Sequence, residues 1–303
     1  NESFRFVNKG RRTTNATDML IVEAYRNLLE TSASIAKRFH MSDTYVHEIF
    51  DRYVKLDRLP LTDAISIDEV HLDMDDDCKY ALVIQDFHTG DPIDLLRSRR
   101  TPVTEPYFVS IPATERNQVK YLISDMYNPY IAYVEKYFPN AVPVVDSFHV
   151  IQWITRSIDN YIRQLLKKYR QRDREYQDKL SYEQQRPVSL PPSDEVYLLQ
   201  KYRWLILSNQ SNIRYHSDPR MDSHFHVLMN TYDYEDALFR IDPNLKDFRD
   251  LKEMYVQFNS RNGGNPLLAR NELKELLQTY KSSRFEIFRD FASLLKKFED
   301  PIV

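Results

Sequence analysis

Between residues 60 and 150 of this 303-residue chain, apolar residues recur on two different periods in a set order, and few folds accommodate that order. Runs at 64–72, 79–86 and 92–97 alternate as strands do, and the turn "FHTGDP" marks a hairpin between the second and third. A short helical stretch over 104–118 follows. Next, "VKYLIS" leads into Asp125, a helix runs through "NPYIAYVEKYF", and "AVPVVD" ends at Asp146. Three strands in a meander followed by strand, helix and strand predict an α/β fold: a mixed sheet with helices on its faces.

The flanks read as helical. Ile151, Ile154, Ile158, Tyr161, Leu165 and Tyr169 follow three-and-four spacing, which predicts one long amphipathic helix from 147 onward. "PVSLPPS" (187–193) breaks the chain. Asp242-Pro243 and Asn265-Pro266 each place a cap before a first-turn proline, and Ser283 to Glu286 reads as a capping box. On the other side, 31–54 reads as two short helices. Ile35, Ala36 and Phe39 form one apolar face. Ser42 caps a second helix that buries Val46, Ile49, Phe50 and Tyr53 and exposes Thr44, Tyr45, His47, Glu48 and Arg52. That layout fits a helix-turn-helix with His40 in the turn, and it fits a plain helical hairpin.

Composition removes several function classes. Only four glycines are present, and neither G-x-G-x-x-G nor G-x-x-x-x-G-K occurs, so a phosphate-cradling nucleotide loop is not expected. The single cysteine, Cys78, excludes internal disulfides and multi-cysteine zinc sites in this chain, fits a reducing compartment, and is expected to be packed. No run of about 18 apolar residues predicts a membrane span, and no signal peptide is legible. Net charge is −3, but unevenly spread: +2 over residues 1–55, −8 over 60–150 and +4 over 151–186. An acidic middle between basic flanks is compatible with a metal-binding core beside polyanion contacts, and equally with ordinary surface variation.

Asp68 interrupts the first strand, Asp125 follows the fourth and Asp146 follows the fifth. If these strands are neighbours, the carboxylates gather at one sheet edge, where they repel unless a proton or cation is shared. Mg²⁺ or Mn²⁺ suits such an oxygen-only set and leaves positions open for phosphate oxygens. Asp146 before Ser147 also reads as a helix cap. His149, in the first helical turn, is placed to orient a carboxylate, to contact a phosphate, or only to pack. Asp73 and Asp75 to Asp77 read as a solvated turn rather than a calcium loop, which would need a glycine and a distant glutamate. His224 and His226 are assigned no metal role.

Four stretches, "SIDEVHLD", "YALVIQDFHTGDPIDLLRSRR", "VKYLISDMYNPYIAYVEKYFPNAVPVVDSFHVIQ" and "LKEMYVQFN", closely resemble bacterial insertion-sequence transposases of the ISL-three family. These belong to the DDE superfamily, with an RNase H-like catalytic fold. The resemblance covers about residues 30–303 and is most specific from Val119 to Gln152. It implies Asp68 and Asp125 as the first and second catalytic acids and metal ligands, and Asp146 with His149 as an accessory D-x-x-H pair. Glu69 belongs to the first motif without an assigned role. The implied organisation is a helix-turn-helix DNA-binding region over 1–58, an RNase H-like core over 59–155 and a large all-helical insertion over 156–303.

The implied function is metal-dependent phosphodiester cleavage and strand transfer in DNA transposition and recombination. Transposon ends and target DNA are the implied partners, with a homodimer on DNA and a cytoplasmic, nucleoid-associated location. Lys37, Arg38, Thr44, Tyr45, His47, Arg52, Arg163, Lys167 and Arg170 are the expected DNA contacts. Two departures qualify this picture. No cysteine zinc motif precedes Asn1, and the family's third acid, a glutamate in an N-G-x-x-E-G-x-N-like stretch, is not found before Val303. Glu272 and Glu286 are poor substitutes, so the third acid is expected to be missing from this chain, as in a fragment or in a truncated relic that only binds DNA. A metal-dependent nuclease of the same fold is a third alternative.

Overall fold

A computed structural model of the protein describes residues 7, 11, 13–27, 29–55, 57–75, 78–261 and 265–302, with the side chains of 73–75 and 78 excepted. The packing expected of Cys78 and the solvation of Asp76 and Asp77 therefore lie outside the described residues. Two compact units are resolved, Asn1–Leu59 and Pro60–Val303.

The first unit holds α1 (Asn15–Ala24), α2 (Ser32–Phe39) and α3 (Asp43–Tyr53). Thr31 and Ser34 form a capping box at α2. His40 ends α2 in a left-handed conformation, φ 53°, where glycine is usual. The Ser42 hydroxyl accepts from the Tyr45 N–H to start α3. Ile21, Ala24, Ile35, Ala36, Val46 and Ile49 form a small core. α1 was not legible in the sequence, because its inner face carries Asp18, 1% exposed. Thr13 and Tyr53 donate to that carboxylate, with Arg11 and Arg52 alongside, which is the pairing a buried charge requires.

The second unit is built on a five-stranded sheet of order β3-β2-β1-β4-β5. β1 (Ala64–Asp75), β2 (Cys78–Asp86) and β3 (Pro92–Leu96) form the expected antiparallel meander. After α4 (Thr101–Ser110) and α5 (Ala113–Arg116), β4 (Tyr121–Ser124) pairs parallel to β1. α6 (Asn128–Tyr137) then crosses over to β5 (Val142–Val145), parallel to β4. β1 runs further than the sequence suggested. Asp73 and Asp75 continue the strand backbone instead of forming a turn.

Ile65, Ile67, Leu82, Ile84 and Leu122 project from one sheet face into a core with Phe108 and Ile111 after it, and with Tyr130, Tyr133, Val134 and Tyr137 of α6. Burial of such side chains stabilises by about 1.5–3 kcal/mol each. After β5 begins α7 (Ser147–Gln184), a 38-residue helix. Its inner stripe is Val150, Ile154, Ile158, Ile162 and Leu166, and the predicted Ile151, Tyr161, Leu165 and Tyr169 flank that stripe half-buried.

α8 (Asp194–Lys201), α9 (Trp204–Leu207), a small hairpin of β6 (Arg220–Met221) and β7 (Leu228–Met229), and α10 (Thr231–Ile241) through α14 (Glu299–Ile302) complete a helical assembly on α7. Between those last two lie α11 (Asn244–Arg261), α12 (Pro266–Lys281) and α13 (Glu286–Lys297). Asn265 caps α12 as expected. The capping box expected at Ser283 is not formed: α13 starts after Phe285 without a side-chain cap, and Ser283 accepts the Phe285 N–H instead.

Candidate active site

The register of the central strands decides where the acids go. Ile67 of β1 lies opposite Ser124 of β4 in a parallel pair, so the next step places Asp125 beside Asp68. Adjacent strands are about 4.8 Å apart. Residues 65 and 67 face the α6 core, so alternation turns Asp68 to the opposite face and Glu69 toward α6.

Two consecutive acids thus have different surroundings. Glu69 accepts from the Arg99 guanidinium at 2.5 and 2.7 Å and from the Tyr130 hydroxyl at 2.6 Å. Arg99 also lies over the rings of Tyr80 and Tyr127. The bond to Glu69 holds Arg99 above its ordinary range, while burial and then Glu69 push the Tyr130 phenol up. Glu69 is therefore committed to a bracket between β1 and α6. Asp68, with its side chain 59% exposed, is bonded among the described residues only to the Glu69 N–H, at 2.7 Å, and stands next to His149.

Asp125, just beyond β4, is half-buried. Burial pushes its carboxyl above the usual range, Glu69 and Asp68 push the same way, and His149 and the Tyr127 N–H offset only part of it. Its Oδ1 is buried and has no hydrogen-bond partner among the described residues. Asp146 caps α7 by accepting from the Phe148 N–H at 2.9 Å. His149 Nε2 sits 3.8 Å from Asp146 Oδ2 and 4.0 Å from Asp68 Oδ1, so the imidazole bridges β1 to the start of α7. The structure thus gathers Asp68, Asp125, Asp146 and His149 at one sheet edge, and Asp146 is also the cap of α7.

Among the described residues, no three His, Cys, Asp or Glu side chains form a ready-made metal cage. The donor set nevertheless fits a hard divalent cation. Mg²⁺ is commonly held by one or two carboxylates with waters and substrate phosphates, and a buried carboxylate oxygen without a partner beside a second exposed carboxylate supplies that arrangement.

Of the expected DNA contacts, Arg163, Lys167 and Arg170 line one cleft of α7 with Arg174, Gln200 and Arg203. Arg163 is paired with Asp159, and Arg170 bonds to Gln200. Lys167 and Arg174 have no ion pair among the described residues. Arg174 continues the 163, 167, 170 spacing at the end of the basic face of 156–174, and Arg203 comes from another element.

In the first unit, Lys37 and Thr44 are exposed, Arg38 pairs with Glu30, and His47 lies 3.7 Å from Asp43. Tyr45 and Arg52, expected on the exposed face, are half-buried instead. Tyr45 shares a hydrogen bond with Thr13, and Arg52 turns toward buried Asp18.

Comparison with known protein families gives one match. A transposase family, the DDE group of the ISL3 type, matches residues 65–303. No curated protein matches the chain.

Proposed function

This chain belongs to the ISL3-type DDE transposase family, and from that premise we propose that the sheet edge at Asp68 and Asp125 is the centre at which an insertion sequence's DNA is cut and joined. The fold is then read as RNase H-like, with 1–58 as a helix-turn-helix, 59–155 as the catalytic core and 156–303 as the helical insertion. The observation that carries the reading is the β1–β4 register, which ends at Ile67 opposite Ser124 and so brings Asp125 next to Asp68, with the buried Asp125 Oδ1 unmet among the described residues.

Asp68 and Asp125 would hold the divalent cation, Mg²⁺ or Mn²⁺. When bound, such an ion supplies charge that stabilises the attacking and leaving oxygens of an in-line displacement. The chain's own part is positioning. His149 steadies Asp68 from α7, Asp146 anchors the first turn of that helix, and the Glu69–Arg99–Tyr130 bracket fixes the strand that carries Asp68. Lys167 and Arg174, with Arg163, Arg170 and Arg203, present a basic track for DNA phosphates. Lys37, Thr44 and His47 are the exposed candidates on the first unit, and assembly as a homodimer on DNA is the expected working form.

The test is strand cleavage of DNA carrying the insertion sequence's ends, with Mg²⁺ or Mn²⁺, by wild type, Asp68→Asn and Asp125→Asn in the full-length protein. Both variants should bind the DNA and lose cleavage by a factor of a thousand or more, the scale on which removing one preorganised charge group acts. Undiminished cleavage by either variant would remove that acid from the site. Tight binding by the wild type with no metal-dependent nicking would favour a protein that only binds DNA.

A further inference from the structure

Beside Asp125 opens a cleft of about 460 Å³ between α7 and α13, lined by Met126, His149, Gln152, Trp153, Arg156, Asn160 and Leu294. Gln152, Arg156 and Asn160 recur every four residues, so they form one polar stripe leading away from His149. None of the three makes a side-chain hydrogen bond or ion pair among the described residues, and Arg156 is the only lysine or arginine among the described residues lining the cleft. Trp153 lines it too, stacked on Phe291 at 5.6 Å and 12°, which fixes the indole plane.

We propose that this cleft takes a single unpaired nucleotide of the DNA strand next to the phosphate under attack. Arg156 holds its phosphate, Gln152 and Asn160 meet the base edge, and Trp153 with Met126 and Leu294 provides the apolar surface against which the base lies. The assignment rests on the reading of Asp68 and Asp125 as the cleavage centre. Size favours one nucleotide: the volume lies in the small-ligand range. Chemistry favours it too, because a lone guanidinium, two amides and an aromatic ring match a phosphate, a polar edge and a π-face, which is how single strands are held. A duplex backbone would instead need a row of cations, and that row lies further along α7 at Lys167 and Arg174.

Trp153 and Trp204 are the only tryptophans, so the site reports on itself. A short oligothymidine is titrated into the full chain, and tryptophan fluorescence is followed in Trp204→Phe and Trp153→Phe proteins. The expected result is saturable quenching in Trp204→Phe, none in Trp153→Phe, and affinity roughly ten-fold weaker or worse in Arg156→Ala, partly restored in Arg156→Lys. Melting curves of the variants check folding. Quenching confined to Trp204, or an Arg156→Ala protein that binds the oligothymidine as wild type does, overturns the proposal. So does an equal weakening of duplex and single-strand binding, which would make Arg156 an ordinary backbone contact. Asp68→Asn should leave the quenching intact, so loss of the cleavage-centre reading would show only in the cleavage assay.

Discussion

At Asp125 the protein removes water from a carboxylate whose neighbouring charges include Glu69 and Asp68, and it leaves Oδ1 without a partner among the described residues. Burial and like charge hold the carboxyl above its ordinary range. A group so shifted contributes stability that is fully present below the unfolded carboxylate range, near pH 4, and is lost as pH rises through the raised value. At neutral pH the folded protein without a bound cation should carry this cost. Asp125→Asn is expected to raise the melting temperature at pH 7 by roughly 2–4 °C, equivalent to about 1 kcal/mol, while cleavage is lost. The gain should shrink toward zero in melts run below pH 4, and a gain unchanged by pH would contradict the electrostatic cause. Glu69, by contrast, is paired with a guanidinium. Arg99→Ala leaves that carboxylate facing Tyr130 without its countercharge, and denaturant melts should show a loss of about 1–3 kcal/mol. An Arg99→Ala protein as stable as wild type would mean the bracket contributes nothing.

Among the elements, the strands were the most legible, because alternation and paired neighbours both left traces in the sequence. β4, β5 and the start of β1 were placed nearly to the residue, and their shared edge could be anticipated from Asp68, Asp125 and Asp146. What could not be read was which face each acid would take, since that depends on the register of β4 against β1. The 38-residue α7 has an apolar stripe wide enough that half-buried flanking residues obscured its true centre line. α1 was hidden by its buried Asp18, and the distal cluster around Asp222 had no local signature at all. Asp222, 4% exposed, accepts from the hydroxyls of Tyr197 and Tyr234 and from the N–H groups of His224 and Phe225. Burial pushes its carboxyl up, but these donors outweigh it and hold the group well below the usual range. That stability is present above about pH 4 and is lost as pH falls toward the depressed value. Asp222→Ala is expected to cost about 2–4 kcal/mol in urea melts near neutral pH, with the difference narrowing in acid. A cost under about 0.5 kcal/mol would contradict the hub.

For the molecule as a whole, charge is sorted by role: an acidic sheet edge, then an unpaired polar stripe, then a basic track along α7. Lys167→Ala with Arg174→Ala should weaken DNA binding at all sequences alike and lower the slope of log affinity against log salt by about two. Melting should be unchanged, because neither side chain has an ion pair among the described residues. An unaltered salt slope would take the track out of the DNA path. On the proposed reading, Asp68 and Asp125 jointly hold one kind of ion. Mn²⁺ titration followed by electron paramagnetic resonance tests it most directly, using wild type, Asp68→Asn and Asp125→Asn. Saturable binding in the wild type, lost or weakened at least ten-fold in each variant, is the expected result, and equal Mn²⁺ binding by all three proteins would contradict it.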